Sequence, residues 1–159
     1  MSSQAIYKLV LNMLEASAVT LQVFFLTLLF SLPLGLLVAS ARMSKRKVIQ
    51  MPIRFYLLIM RGTPLILQLI FFYFVPAQIF GTGLPRFWAA ILAFTLNYAA
   101  YFAEIYRGGI QSISYGQHEA AAVLGFSRGQ TFFRIILPQV IKNILPPMSN
   151  EFMTLVKDT

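Results

Sequence analysis

The sequence predicts an all-α, polytopic membrane protein. Two properties of its 159 residues support this prediction: apolar residues make up 58% of the chain and charged residues only 11%. Soluble domains contain about 45–50% apolar and about 25% charged residues, and a single core of this size could not bury the excess of apolar side chains. The apolar residues also form long runs separated by short basic segments. We therefore expect these runs to cross a lipid bilayer.

Four apolar runs are candidates for membrane spans. The first, Ala16–Ala41, carries no charge, and at about 1.5 Å per residue its helix would exceed the roughly 30 Å thickness of the hydrocarbon layer. The predicted spans cover approximately residues 17–40, 64–80, 87–103 and 140–156, and the last is more polar than the others. A cleaved signal peptide is an alternative for the first run, but that run is too long and Lys8 is the only basic residue before it.

Basic residues set the predicted orientation in the cell membrane. Five cations lie between the first two runs: Arg42, Lys45, Arg46, Lys47 and Arg54. Because Lys and Arg concentrate in cytoplasmic loops, this loop is predicted to be cytoplasmic and the N-terminus to lie outside. Alternation then places residues 104–138 in the cytoplasm and Thr159 outside. The net charge of +8 is explained by this membrane-surface pattern, so no nucleic acid partner is expected.

A polar segment between the last two spans is predicted to form two short helices. Ser127 with Gln130, and similarly Ser114 with Gln117, have the spacing of a capping box. Gly125 suits a left-handed helix end. The expected helices are residues 115–124 and 128–137, with a bend at Gly125–Phe126. On the first helix one face is shared by Gln117, Ala120, Ala121 and Leu124.

The same segment, residues 119–138, carries a specific pattern: E-A-A, three residues, G, nine residues, I-x-L-P. Seven residues fill it: Glu119, Ala120, Ala121, Gly125, Ile135, Leu137 and Pro138. The pattern resembles the EAA loop in permease subunits of ATP-binding-cassette (ABC) importers. The resemblance implies a coupling helix that docks on a separate nucleotide-binding ATPase subunit through Glu119, Ala120, Ala121, Leu124, Gly125 and Phe126. Helix chemistry alone would instead favour an amphipathic helix on the membrane surface.

Other segments are similar to the permeases that carry polar amino acids of the histidine, glutamine and arginine type. They are RGTPLILQLIFFYF (61–74), AEIYRGGIQSI (103–113) and NEFMTLVKDT (150–159). The resemblance implies one MetI-like transmembrane domain over residues 1–159, an amino-acid substrate, a second identical or related permease subunit, and an extracytoplasmic solute-binding protein. Permeases of this kind have at least one further span, so the chain is expected to be truncated at its C-terminus.

Polar residues inside or beside the spans are candidates for the substrate pathway, because polar groups facing lipid are costly. They are Arg61, Thr63, Asn97, Asn150, Glu151 and Lys157. Thr63 and Pro64 are predicted to cap and open a helix whose N-terminus, beside Arg61, favours an anion. An arginine anchored to lipid phosphate is the alternative for Arg61.

Two further candidates have structural alternatives. Asn97, Tyr101 and Glu104 share one helical face, which is explained either by an interhelical hydrogen bond or by contact with substrate. The prolines Pro146 and Pro147 are predicted to break the fourth span. That break could bring Glu151 and Lys157 to an amino-acid zwitterion, although a structural ion pair explains them equally well.

No enzymatic activity is predicted for this chain. It lacks a G-x-x-x-x-G-K-[ST] phosphate-binding loop, it has no cysteine, and His118 is its single histidine. We therefore expect no cofactor, no metal site and no ATP binding, with ATP hydrolysis supplied by the partner subunit. A gradient-driven secondary transporter or channel is the alternative function, but neither an inverted repeat nor a proton-relay network is found in the sequence.

Overall fold

The structure is a computed structural model that describes residues 3–159, and helices make up nearly all of it. No strand occurs within this described range, in agreement with the predicted all-α class. The helices are α1 (Ser3–Arg42), α2 (Lys47–Gly62), α3 (Leu65–Phe80), α4 (Arg86–Gln111), α5 (Gly116–Val123), α6 (Arg128–Gln130) and α7 (Leu137–Asp158). A π-helical segment, Thr131–Ile136, joins α6 to α7.

Helix α4 lies at the centre and contacts α1, α2, α3 and α7. Its contact with α1 is close because Gly35 of α1 has no side chain: a Cβ built there would lie 2.9 Å from the Cβ of Phe102 and 3.2 Å from the carbonyl oxygen of Ala99. Such small-residue contacts let transmembrane helices approach without a hydrophobic driving force. On another face of α4, Tyr98 and Phe102 pack with Met148 and Leu155 of α7. These contacts fix α7 beside α4.

Among the described residues, two helices are long and apolar enough to cross a membrane: Ile6–Arg42 and Arg86–Gln111. They contain the predicted spans 17–40 and 87–103. The predicted span 64–80 corresponds to α3, which reaches the required length only together with α2, and the two are bent by 110° at their junction. The predicted span 140–156 lies within α7. The total of four spans stays a prediction.

The proposed break in the fourth span is wrong. Helix α7 continues from Leu137 to Asp158 with Pro146 and Pro147 inside it. A helix can retain proline because the fixed φ of the ring is close to the helical value, but each ring costs a hydrogen bond and crowds the carbonyl one turn earlier. The two rings instead line a cleft between α4 and α7.

Candidate substrate cavity and coupling segment

The junction between α2 and α3 is a sharp break at Thr63 and Pro64. Thr63 is the C-cap of α2, and its Oγ1 donates a hydrogen bond to the carbonyl of Ile59 at 2.8 Å. Pro64 has φ −60° and ψ 138° and is the N-cap of α3, which begins at Leu65. The predicted N-cap role of Thr63 is therefore wrong, because its hydroxyl satisfies the end of the preceding helix.

A buried pair of amides holds this break in place. Asn97 Nδ2 donates to Gln68 Oε1 and to the carbonyl of Met60, both at 3.0 Å. Gln68 Nε2 donates to the same Met60 carbonyl at 3.0 Å and to Thr63 Oγ1 at 2.9 Å. Helix ends leave carbonyls without intrahelical partners, and these bonds satisfy them inside the protein. The interhelical hydrogen bond expected for Asn97 is present.

Beside the break lies a cavity of about 340 Å³ formed by three parts of the chain. Its lining residues are Thr63, Pro64, Leu65, Asn97, Tyr98, Tyr101, Glu151, Thr154 and Asp158. The structure thus brings together Thr63, Asn97 and Glu151 of the sequence-based candidates. The other three candidates, Arg61, Asn150 and Lys157, lie outside this lining. The Arg61 guanidinium lies over the Tyr101 ring, 5.4 Å from its centroid.

The sequence analysis missed two important residues here. Asp158 lines the cavity and accepts a hydrogen bond from the Tyr98 hydroxyl at 2.6 Å. Its signal was its position seven residues after Glu151, which places both carboxylates on one helical face two turns apart. Gln68 also escaped notice, although a single amide within the apolar run LILQLIFF indicates a buried hydrogen-bond partner.

The cavity lining contains electrostatically complementary groups. Glu151 and Asp158 supply two carboxylates, while Pro64 and Leu65 bring the N-terminus of α3 to the lining. The first N–H groups of a helix have no intrahelical acceptor and carry a partial positive charge. The site therefore offers acceptors for cationic groups and donors for a carboxylate.

Glu104 continues the helical face of Asn97 and Tyr101 but belongs to a separate ion cluster. Its carboxylate accepts a hydrogen bond from Arg107 Nε at 3.0 Å. Arg42 and Arg61 lie 3.9 Å from the same carboxylate. Since α1, the end of α2 and α4 all contribute to this cluster, it links three helices near the cavity.

The end of α5 has the geometry of a Schellman cap. Gly125 has φ +75°, in the left-handed region. The N–H of Phe126 donates to the carbonyl of Ala121, and that of Gly125 to Ala122, both at 3.0 Å. These bonds satisfy the last carbonyls of the helix, as expected for glycine after a helix end. The predicted left-handed bend at Gly125 is confirmed.

Only one of the two predicted capping boxes forms. Ser127 Oγ accepts from the N–H of Gln130 at 3.3 Å, and Gln130 Oε1 accepts from the N–H of Ser127 at 2.9 Å. Helix α5 has no such side-chain cap. Ser114 Oγ instead accepts a hydrogen bond from the N–H of Gly116, in a local turn that precedes the helix. The second predicted helix, 128–137, is helical throughout, but after three α-helical residues the chain adopts a π-helix and continues without a break into α7.

The candidate coupling residues differ in exposure. Glu119 and Ala120 are exposed and Leu124 is 72% exposed, whereas Ala121 is only 1% exposed. Phe126 is half-buried. Val123, which the sequence analysis did not include, is 89% exposed. We call the side of α5 formed by Glu119, Ala120, Val123 and Leu124 the docking face.

Comparisons with known proteins identify relatives of this chain. The family described as "Binding-protein-dependent transport system inner membrane component" matches residues 31–159. The arginine transport system permease protein ArtQ of Bacillus subtilis is 40% identical over 146 residues, which are 92% of this chain and 67% of that protein. The L-cystine permease protein TcyB of the same organism is 43% identical over 141 residues, covering 88% and 59% of the two chains. The putative glutamine permease protein GlnP of Rickettsia felis is 37% identical over 153 residues, covering 96% and 70%.

Solved structures show the same architecture. A crystal structure of an amino acid ABC transporter with histidines superposes with a TM-score of 0.79 at 38% identity, covering 93% of this chain and 72% of that one. The inward-facing MetNI methionine ABC transporter has a TM-score of 0.64 at 24% identity, covering 99% and 74%. The second likeness concerns the fold alone. The chain spans 59–70% of the length of the three sequence relatives.

Proposed function

Because the chain belongs to the family of binding-protein-dependent transport system inner membrane components, we propose that it binds a polar amino acid in the cavity beside the α2–α3 break. The fold is that of a MetI-like ABC-transporter transmembrane domain. The chain is a permease subunit of the amino-acid importer type and a multi-pass membrane protein. Permease subunits of this kind have no ATPase domain of their own, and a partner subunit hydrolyses ATP.

The charge arrangement of the cavity carries the substrate proposal. Glu151 and Asp158 would accept hydrogen bonds from an ammonium group, and the N-terminus of α3 at Leu65 would bind the carboxylate of the same molecule. A zwitterion has one positive group, whereas the lining has two acidic residues and no Arg or Lys. This excess of negative charge favours an amino acid with a cationic side chain. The Arg61 guanidinium, which lies over the Tyr101 ring and outside the lining, would reduce the preference for a cationic substrate without contacting the substrate.

The docking face of α5 is proposed to bind the nucleotide-binding subunit. Val123 and Leu124 present large apolar side chains that the chain itself leaves exposed, and apolar anchors of this kind dominate protein contacts when a partner encloses them. The Schellman cap at Gly125 fixes the direction of this helix relative to α7. ATP-driven movement of the partner would then reach the cavity through the π-helical segment and α7.

The remaining assembly follows from the same proposal. A second permease subunit completes the pathway, and an extracytoplasmic solute-binding protein delivers the substrate. The N-terminus would lie outside, the five cations from Arg42 to Arg54 would lie in the cytoplasm, and a single domain would cross the membrane four times within residues 1–159. Cysteine labelling from one side of the membrane at residues 45 and 82 would test this orientation, since both positions are exposed.

Amino-acid binding by the purified transporter, without its solute-binding protein, tests the cavity directly. We expect Asp158→Asn and Glu151→Gln each to weaken binding about 10- to 100-fold, the usual worth of a hydrogen bond to a charged group. Their neighbours outside the lining provide matched controls: Lys157→Gln and Asn150→Ala should change the affinity less than about two-fold. The proposed site would be contradicted if the two carboxylate variants lost no affinity, or if the two control variants lost as much affinity as they did.

Energy coupling requires a second measurement. Transport into vesicles should stop when ATP is depleted while the ion gradients are kept. Uptake that persists under those conditions would favour the gradient-driven alternative and would leave the binding measurement unaffected.

A further inference from the structure

A second cleft, of about 410 Å³, lies between the end of α1, the middle of α2 and α4. It is separate from the cavity described above, with which it shares no lining residue. The lining residues are Arg42, Arg54, Phe55, Leu57, Leu58 and Glu104. The cleft therefore combines two guanidinium groups with an apolar wall and one carboxylate.

The positive charge in this cleft exceeds the negative charge. Glu104 is the acidic residue of an ion cluster that also contains Arg42, Arg61 and Arg107. Three guanidinium groups around one carboxylate leave a net charge of about +2, and Arg54 adds another positive charge. A partly buried charge without a full complement of opposite charge is unfavourable. The cluster would be stabilised by an added anion.

The Arg42 guanidinium in this cluster is incompletely paired. The Arg42 side chain is 23% exposed, and within residues 3–159 its Nε atom is buried without a hydrogen-bond partner. Its distance of 3.9 Å to the Glu104 carboxylate is too long for a hydrogen bond. Buried donors in proteins are almost always paired, with protein, water or ligand. Arg42 therefore has hydrogen-bonding capacity that the described residues do not use, and its partly exposed side chain is a candidate anchor for a ligand oxygen.

The apolar wall indicates what carries the anion. Phe55 is 65% exposed and Leu58 is 70% exposed. Met51 and Val48, at 75% and 86%, extend the same stripe towards the start of α2. Their spacing of three and four residues places them along one side of the helix. Cations at the edge of an apolar stripe match a headgroup above acyl chains, whereas a soluble anion would leave the stripe unused.

We propose that this cleft is a binding site for an anionic phospholipid. The guanidinium groups of Arg42 and Arg54 bind the headgroup phosphate, and Phe55 and Leu58 contact the acyl chains. A zwitterionic lipid also has a phosphate, but its own cation cancels the charge that the cluster requires. Because Arg42 contacts the same carboxylate as Arg61, the lipid also completes the ion cluster that joins α1, α2 and α4. The site does not depend on which substrate the cavity binds.

The test uses the assembled transporter, purified with its partner subunits and stripped of lipid. Native mass spectrometry would count bound phosphatidylglycerol and, separately, phosphatidylcholine with identical acyl chains. We expect clear saturable binding of phosphatidylglycerol only. Arg54→Gln should weaken it about five-fold, which corresponds to one cation at a membrane surface, and Arg42→Gln should weaken it at least as much. Lys45→Gln, in the same basic loop but outside the lining, should have less than half of that effect.

Several results would overturn the proposal. These are equal binding of the two lipids, equal weakening by Lys45→Gln, or no saturable binding because a partner subunit covers the cleft. Arg42→Gln could disturb folding through Glu104, so Arg54→Gln, on an exposed residue without an ion pair in the described range, decides the outcome. Leu58→Asn distinguishes the source of the phosphate. It should weaken phosphatidylglycerol but not inorganic phosphate, and inorganic phosphate that competes as well as the lipid would exclude an acyl-chain contribution.

Discussion

The cavity beside the α2–α3 break and the coupling segment after α4 are both polar interruptions in an apolar chain, but they are built in opposite ways. The cavity joins residues as distant as Thr63 and Asp158, and its buried amides bond across helices. In the coupling segment, the cap bonds of Gly125 and Ser127 span at most five residues, and the apolar side chains of Val123 and Leu124 are exposed.

This difference separates two kinds of function. A residue in the cavity contributes to folding and to ligand binding together, because removing it leaves buried polar partners unsatisfied. A residue on the docking face contributes little to folding, because its contacts are made only with another subunit. Mutations in the two regions should therefore divide clearly between stability and coupling.

The largest effect is expected from Leu124→Asp on the docking face. A carboxylate buried against an apolar partner surface loses both the anchor and its own hydration. Transport and substrate-stimulated ATP hydrolysis should fall about 100-fold, while the thermal stability of the permease stays unchanged. His118→Asp supplies the control, since His118 is exposed but lies on the opposite side of α5 by helical spacing. Similar losses in both variants would show that the docking face has no special role.

Asn97→Leu, unlike Leu124→Asp, should lower the thermal stability of the permease as well as its affinity for the substrate. Gln68 Oε1 would lose its donor at the α2–α3 break, and an unsatisfied buried acceptor costs about 1–3 kcal/mol. Thermal unfolding in detergent measures this loss.

Thr95→Val, two residues earlier in α4, is the matched control for Asn97→Leu. The Thr95 hydroxyl is buried and has no hydrogen-bond partner within the described residues, so replacing it should leave stability unchanged or raise it. A stable Asn97→Leu variant would refute the structural role of the amide pair.

The backbone of the coupling segment can be tested with two glycines. Gly125→Ala forces a side chain into the left-handed region and should cost about 1–2 kcal/mol, measured as faster amide hydrogen exchange in residues 116–126. Gly129 has an ordinary backbone conformation, and an added Cβ would meet nothing within 4 Å. Gly129→Ala should therefore slow exchange locally, because alanine favours the helix. The exchange rate should therefore rise in Gly125→Ala and fall in Gly129→Ala. Equal changes in the two variants would show that the left-handed backbone of Gly125 is not what stabilises the segment.

Sequence patterns predicted the coupling segment better than the cavity for the same physical reason. A glycine at a helix end acts within one or two turns, so the spacing of letters carries the information. The cavity depends on which residues α2, α4 and α7 bring together. Glu151 was identified because it is polar within a predicted span, but Asp158, the second carboxylate of the lining, lies at the end of α7, where a charge is ordinary.

Tertiary context also explains where local predictions were wrong. Thr63 has the chemistry of an N-cap, yet its hydroxyl bonds backwards to Ile59, since the 110° bend leaves the end of α2 to be satisfied. Pro146 and Pro147 suggest a broken helix, but packing of Met148 and Leu155 against α4 holds α7 together. The π-helical segment Thr131–Ile136 has no local signal that we recognise.

The smallest expected effect compares the two serines that have the same capping-box spacing. Ser127→Ala removes an acceptor for the N–H of Gln130 and should destabilise the start of α6 by about 0.5–1 kcal/mol. Ser114→Ala removes only a turn contact with Gly116 and should cost less. Hydrogen exchange at Gln130 and Gly116 measures the two contacts in one experiment. A larger effect of Ser114→Ala would contradict this assignment, because it would mean that Ser114 stabilises the start of α5 more than Ser127 stabilises the start of α6.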